Sequence, residues 1–149
     1  HPERKLLKKL ALAEKEMLFQ MLNHKRAVDF YENNLGGFYD EVYRNIANYI
    51  IEYAKNHEDI DISQVIGEIE QSDFENKDEL IKELTDLIYE RKSHPECDDN
   101  LLGDLLDTIS KEKERIFEND TLEQALQGKS DLEKARIIKE FNERKFKNN

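Results

Sequence analysis

Apolar residues recur along this chain at steps of three and four almost from its start. Leu6, Leu10, Ala13, Met17 and Met21 form one stripe, and Leu7, Ala11, Leu18 and Leu22 widen it. That spacing predicts an amphipathic helix over 6–22 with a broad buried face. Asn23 can end it or cap the next helix. A shorter helix follows over 24–34, with Ala27, Val28, Tyr31 and Leu35 as its apolar side. The Gly36-Gly37 pair stops it, since glycine takes the left-handed conformation at least cost, and Phe38 is expected to anchor the loop in the core. Val42, Ile46, Ile50 and Tyr53, flanked by Ala47 and Ala54, predict a central helix over 40–56. A helix over 61–71 uses Ile62, Val65, Ile66 and Ile69, capped by Asp61 or Ser63; its β-branched residues make it the segment closest to strand composition. Asn76 and Glu79 form a capping pair before Leu80, Ile81, Leu84, Leu87 and Ile88.

Ser93-His94-Pro95-Glu96 reads as a break and a restart, with Ser93 as cap and proline in the first turn. Leu101, Leu102, Leu105, Leu106 and Ile109 then make a dense apolar face. Ser110 to Arg115 favours helix but shows no apolar stripe. The expectation is one helix whose first half packs on a bundle and whose second half runs through water, with Glu112 and Arg115 as an i,i+3 ion pair. Asp120-Thr121-Leu122-Glu123 and Ser130-Asp131-Leu132-Glu133 are two capping boxes. They predict a short helix ended by Gly128 and a last helix with Ala135, Ile137, Ile138 and Phe141. A hairpin this small cannot bury all its apolar groups. Ile137 and Ile138 are about 100° apart on a helix, so one can face the hairpin partner while the other stays available. Lys134, Arg136, Lys139, Arg144, Lys145 and Lys147 make this last helix locally basic.

Composition agrees with helices joined by short loops, since there are only 5 glycines and 2 prolines in 149 residues. The net charge of −11 disfavours strong binding of nucleic acid by the whole chain, although a local basic face escapes that argument. The single cysteine, Cys97, cannot form an internal disulfide and suits a reducing, cytoplasmic setting. No apolar run reaches membrane-spanning length, and no signal peptide is visible, so no membrane partner is expected. The start at His1 without Met suggests a piece of a longer protein; trimming for expression would give the same start.

No catalytic constellation is evident. Gly36-Gly37 stands alone without the other glycines of a phosphate loop. No Glu-x-x-His or His-Glu-x-x-His occurs. His94 and Cys97 are three apart, but a zinc site needs a second pair, so no metal and no cofactor are expected. Glu96, Asp98 and Asp99 beside Cys97 would raise its thiol pKa rather than activate it. His24 and His57 sit at helix edges, and Glu58-Asp59 reads as a solvated face. The basic stripe at Arg4, Lys5, Lys8 and Lys9 is most simply the wet side of the first helix.

Three features in order resemble one family. They are Ala13-Glu14-Lys15-Glu16-Met17-Leu18-Phe19-Gln20-Met21-Leu22, the Gly36-Gly37-Phe38 turn with Tyr43-Arg44-Asn45-Ile46-Ala47-Asn48-Tyr49-Ile50, and Lys129-Ser130-Asp131-Leu132-Glu133-Lys134-Ala135-Arg136-Ile137-Ile138-Lys139-Glu140. Together they are similar to the C-terminal, helicase-binding domain of bacterial DnaG-type primases. The resemblance implies an all-α fold: a bundle over 1–96 completed by the start of the next helix, a linking helix over 97–119, and a C-terminal hairpin over 120–149. It implies a non-catalytic module of a primase, the parent being a DNA-directed RNA polymerase. The hairpin would dock on the N-terminal domains of the hexameric replicative helicase and the bundle would modulate it, coupling primer synthesis to unwinding. Single-strand-binding protein is a second candidate partner. The expected contact residues are Leu126, Leu132, Arg136, Ile137, Lys139, Glu140, Phe141 and Arg144. Of these, Leu126 and Leu132 fit packing within the hairpin, and Arg136, Lys139, Phe141 and Arg144 fit the partner. The alternatives are a helical adaptor for another protein and a minor nucleic-acid-binding module.

Overall fold

The computed structural model describes residues 2–90 and 96–147, with side chains from Leu7 to Glu90 and from Glu96 to Lys145. Among these residues the fold is all-α, with seven helices and no strand. They are α1 (Pro2–Asn23), α2 (Lys25–Asn34), α3 (Glu41–Asn56), α4 (Ile62–Gln71), α5 (Lys77–Tyr89), α6 (Asp99–Leu126) and α7 (Asp131–Lys147).

The bundle is organised on α1 and α3. Helix α3 packs against α1, α2, α4 and α5, and α6 lies along α1. The core is the union of their apolar stripes: Leu10, Met17, Leu18 and Met21 from α1, Ile46 and Ile50 from α3, Val65 and Ile69 from α4, Leu80 and Leu84 from α5, and Leu102 and Ile109 from α6. The β-branched α4 is a helix because Asp61 caps it, its carboxylate accepting from Gln64 N at 3.3 Å, and because Val65 and Ile69 share one buried face. Ser63 lies inside that helix and does not cap it. Asn76 stands at the start of α5 but makes no side-chain cap bond, so the expected capping pair with Glu79 does not form.

The loop between α2 and α3 is the most constrained turn. Gly36 sits at φ +68, where a Cβ is unfavourable, and Phe38 is buried with its ring 4.7 Å from that of Tyr31. Asp40 then caps α3, accepting from Tyr43 N at 3.0 Å.

The second half departs from expectation in three places. Ser93, His94 and Pro95 lie outside the described residues, and the cap of α6 is Asp98, which accepts from Leu101 N at 2.8 Å. The box at Asp120 opens no helix. Helix α6 runs unbroken for 28 residues, about 42 Å at 1.5 Å per residue, and includes both the linking segment and the first arm of the hairpin. Thr121 Oγ1 donates instead to the Phe117 carbonyl at 2.9 Å, satisfying its hydroxyl without ending the helix. Lastly, Ser110–Arg115 does not run through water on every side: Glu112 is only 1% exposed and Lys113 is half-buried, while Ser110, Lys111, Glu114 and Arg115 are exposed. The box at Ser130 does form, with Ser130 Oγ accepting from Glu133 N at 3.3 Å, and Gly128 takes φ +72 in the turn before α7.

Candidate docking site

The hairpin leaves the bundle from a buried polar node. Glu112 follows Ile109 by three residues and precedes Ile116 by four, so it occupies a position that the helix period assigns to the core. Its Oε1 lies 3.0 Å from Arg115 Nη1 and 3.5 Å from Lys9 Nζ on α1, while its Oε2 is buried without a partner. The two exposed cations balance a carboxylate that would otherwise be costly to bury. The expected Glu112–Arg115 pair is therefore present, but it closes the joint between α1 and α6 rather than supporting an isolated stalk.

The next residue extends the joint. Lys113 Nζ donates to the Gly37 carbonyl at 2.5 Å, and its pKa is lowered by burial. Glu14 of α1 is fully buried beside it and accepts from Tyr39 N at 2.5 Å and Asp40 N at 3.1 Å. Burial raises the Glu14 pKa, against the lowering effect of those two amides and of Lys113. Arg44 Nη1 donates to the Phe38 carbonyl at 3.3 Å. Burial also pushes the Tyr31 hydroxyl up to about 12, with Glu14 adding to the rise. One loop is thus held by α1, α3 and α6 where α6 emerges. None of Glu14, Glu112 and Lys113 was singled out from sequence as buried. The signal was present, since Glu112 continues the spacing Leu102, Leu105, Ile109 towards Ile116.

Beyond Ile116 the chain forms the hairpin. Helix α6 is antiparallel to α1, because Arg26 just after α1 pairs with Asp99 at the start of α6 while Lys9 reaches Glu112. Helix α7 returns along α6, and Lys145 comes within 3.9 Å of Glu118. Leu126, Ile137 and Phe141 are half-buried in the seam between the two arms. Leu132 is not: at 84% exposure it does not pack within the hairpin. It lies nine residues before Phe141, about 180° away at about 100° per residue, so turning Phe141 inward turns Leu132 outward. Arg136 and Lys139 fall within about 40° of Leu132 on the same spacing and are exposed, with Glu140 at their edge. The structure therefore gathers Leu132, Arg136, Lys139 and Glu140 on one outer face. It assigns Leu126, Ile137 and Phe141 to the seam and leaves Arg144 on the flank. Two further exposed apolar side chains join the hairpin surface: Phe117 at 71%, which was not expected there, and Ile138 at 39%, the member of the adjacent isoleucine pair that stays available.

Other candidate chemistry does not assemble. Cys97 is half-buried and its thiol pKa is raised, first by burial and then by Asp98 and Asp99, while Arg26 opposes the rise. Among the described residues no group of three or more His, Cys, Asp or Glu is placed to hold a metal ion, and no helix is long and apolar enough to cross a membrane. His57 caps the end of α3, stacked on Tyr53 with ring centroids 3.9 Å apart and its Nδ1 2.9 Å from the Tyr53 carbonyl. It braces the α3–α4 corner, where Tyr53 Oη lies 2.5 Å from Gln64 Oε1. The chain matches no protein-family model, no curated protein and no solved structure.

Proposed function

We propose that this chain is a protein-docking module of a bacterial primase, and that its hairpin binds the N-terminal domains of the hexameric replicative helicase. The observation that carries the docking role is the outer face of α7. Leu132 stands 84% exposed between Arg136 and Lys139, on an arm that projects from the bundle. An exposed apolar side chain flanked by charges of both signs, with Arg136 and Lys139 on its own face, is poorly used in water and well used against a partner with an apolar pocket and a complementary polar rim. The helicase as partner rests on the resemblance of the three sequence segments. The buried node at Glu112 and Lys113 supports the same reading, because it gives the arm a defined exit direction before a partner is met.

The test is isothermal titration of the chain against the replicative helicase. Leu132→Asp and Arg136→Glu are each compared with the unaltered chain. The docking face predicts binding of the unaltered chain at micromolar or tighter affinity and a loss of at least tenfold in each variant. A truncation after Gly128 removes α7 while leaving α6 whole, and should abolish binding. Equal affinity in all four chains would move the contact to the bundle. No binding by the unaltered chain would leave a docking arm with a different protein as its partner.

A further inference from the structure

Three side chains far apart in sequence hold one short segment that has little other backbone support. Among the described residues Gly37, Phe38 and Tyr39 make no backbone–backbone hydrogen bond, and the stretch belongs to neither α2 nor α3. Its polar groups are met from outside. Lys113 of α6 donates to the Gly37 carbonyl, and Arg44 of α3 donates to the Phe38 carbonyl. Glu14 of α1 accepts from the Tyr39 and Asp40 amides. The Phe38 ring fixes the same stretch by its burial against Tyr31. A segment without ladder bonds keeps its order only while such contacts hold.

The contacts reinforce one another. Gly37 and Asp40 lie on one short stretch, so a bond made at one end lowers the ordering cost of a bond at the other. Lys113 and Glu14 also attract: the Lys113 charge lowers the pKa of Glu14, against the effect of burial. The two ends of the segment lead to different parts of the molecule. At one end, Lys113 stands five residues before Glu118, where Lys145 of α7 approaches α6. That is about 7 Å along the helix axis. At the other end, the Asp40 carboxylate accepts from Tyr43 N and caps α3, the helix that packs against α1, α2, α4 and α5. Helices α3 and α6 pack little directly on each other, so the segment is a link between them.

We propose that residues 37–40 are a lock that couples the root of the arm to the start of α3, with Lys113 and Glu14 acting as one unit rather than as two separate contacts. Opening is then a single local event. Releasing Lys113 frees the amides that Glu14 holds, and releasing Glu14 loosens the turn of α6 that carries Lys113. A load placed on the arm reaches the cap of α3 by this route. Relay from a bound partner rests on the docking reading; the coupling itself is a property of the chain alone and is tested there.

The experiment is native-state hydrogen exchange of the whole chain, read amide by amide by nuclear magnetic resonance. Lys113→Met keeps the aliphatic stem and removes the ammonium. It should speed exchange of the Tyr39 and Asp40 amides by about tenfold or more, although Lys113 bonds to neither. Lys111→Met makes the same charge change at an exposed position of α6 and should alter both by less than about twofold. The buried Ile50 of α3 reports the whole fold, and equal acceleration of its amide in Lys113→Met would mark general destabilisation and overturn the lock. Glu14→Gln keeps one acceptor and sets an NH2 group against the second amide. It should speed exchange at Phe117, on the next turn of α6 after Lys113, by about threefold or more. In the Glu14→Gln, Lys113→Met double variant, Tyr39 and Asp40 should exchange no faster than in the faster single variant, since a lock already open cannot be opened again. Single effects that multiply in the double variant, or Tyr39 and Asp40 rates unchanged by Lys113→Met, would overturn the proposal. Circular dichroism checks the folding of each variant. Where Lys113→Met does not fold, Glu14→Gln decides alone, and an unchanged Phe117 rate sinks the coupling.

Discussion

Replacing Glu14 with alanine should destabilise the fold by about 2 kcal/mol, although the residue is an acid on a highly charged chain. Glu14 is fully buried and accepts two backbone hydrogen bonds, from Tyr39 and Asp40. Removing an acceptor and leaving a buried donor costs about 1–3 kcal/mol for each group. Tyr39 is 49% exposed as a residue, so water can reach part of its backbone, and only the Asp40 amide is counted in full. The loss of the Glu14 charge beside the half-buried Lys113 adds to the cost. Against this, the raised pKa of Glu14 shows that its charged form is held in the fold at a penalty, which the variant relieves. The balance is about 2 kcal/mol. Urea unfolding followed by circular dichroism reads it as a fall in midpoint of about 1 M for an m value of about 2 kcal/mol/M. Hydrogen exchange should show the Tyr39 and Asp40 amides losing protection. A midpoint shift below about 0.2 M would refute the clamp, because it would mean that those amides are satisfied without Glu14.

Glu14→Gln tests the same site through pH. Burial holds the Glu14 carboxyl above its ordinary value of 4.5. Below that value both folded and unfolded chains are protonated there; as pH rises through the raised folded value, the wild type loses stability that the glutamine variant does not. The cost of Glu14→Gln, from urea midpoints between pH 4 and 8, should therefore shrink as pH rises. A cost that grows with pH refutes the assignment. Asp98→Ala should cost about 1 kcal/mol by removing the cap of α6, whereas Asn76→Ala, which breaks no cap bond, should change stability by less than about 0.5 kcal/mol. Gly36→Ala should cost about 1–2 kcal/mol through its backbone alone. Gly36 sits at φ +68 with open space around its Cβ, so a thermal melt showing no change would mean that the turn relaxes.

The helices themselves were legible because each carries its own apolar stripe. Met17 and Met21, Ile46 and Ile50, and Leu80 and Leu84 all sit at helical spacing, and all are buried. Local signals also placed the turn at Gly36 and the cap at Ser130, and narrowed the cap of α4 to Asp61 or Ser63, of which the structure uses Asp61, since a cap bond spans three residues and needs nothing from elsewhere in the chain. The Gly36-Gly37-Phe38 loop was readable as an anchored turn, but not as one clamped by Glu14 and Lys113, which are distant in sequence.

What only the tertiary structure decided depends on neighbours that sequence spacing cannot name. Asp120 had every local feature of a cap, yet α6 continues through it, and Thr121 makes its hydrogen bond within the helix. Glu112 looked like a solvated charge. It is buried because α1 lies across it and brings Lys9, and a carboxylate in a core position is tolerable only where such a cation arrives. Leu132 looked like packing, but α7 turns Phe141 inward and so faces Leu132 to water. By itself, the sequence determined which residues form helices and which side of each helix is apolar, since both follow from local spacing. Which sides meet, and so where the outer face of α7 and the buried node at Glu112 lie, was set by the packing of helices distant along the chain. Charge and burial there are properties of pairs of residues that spacing along the sequence does not connect.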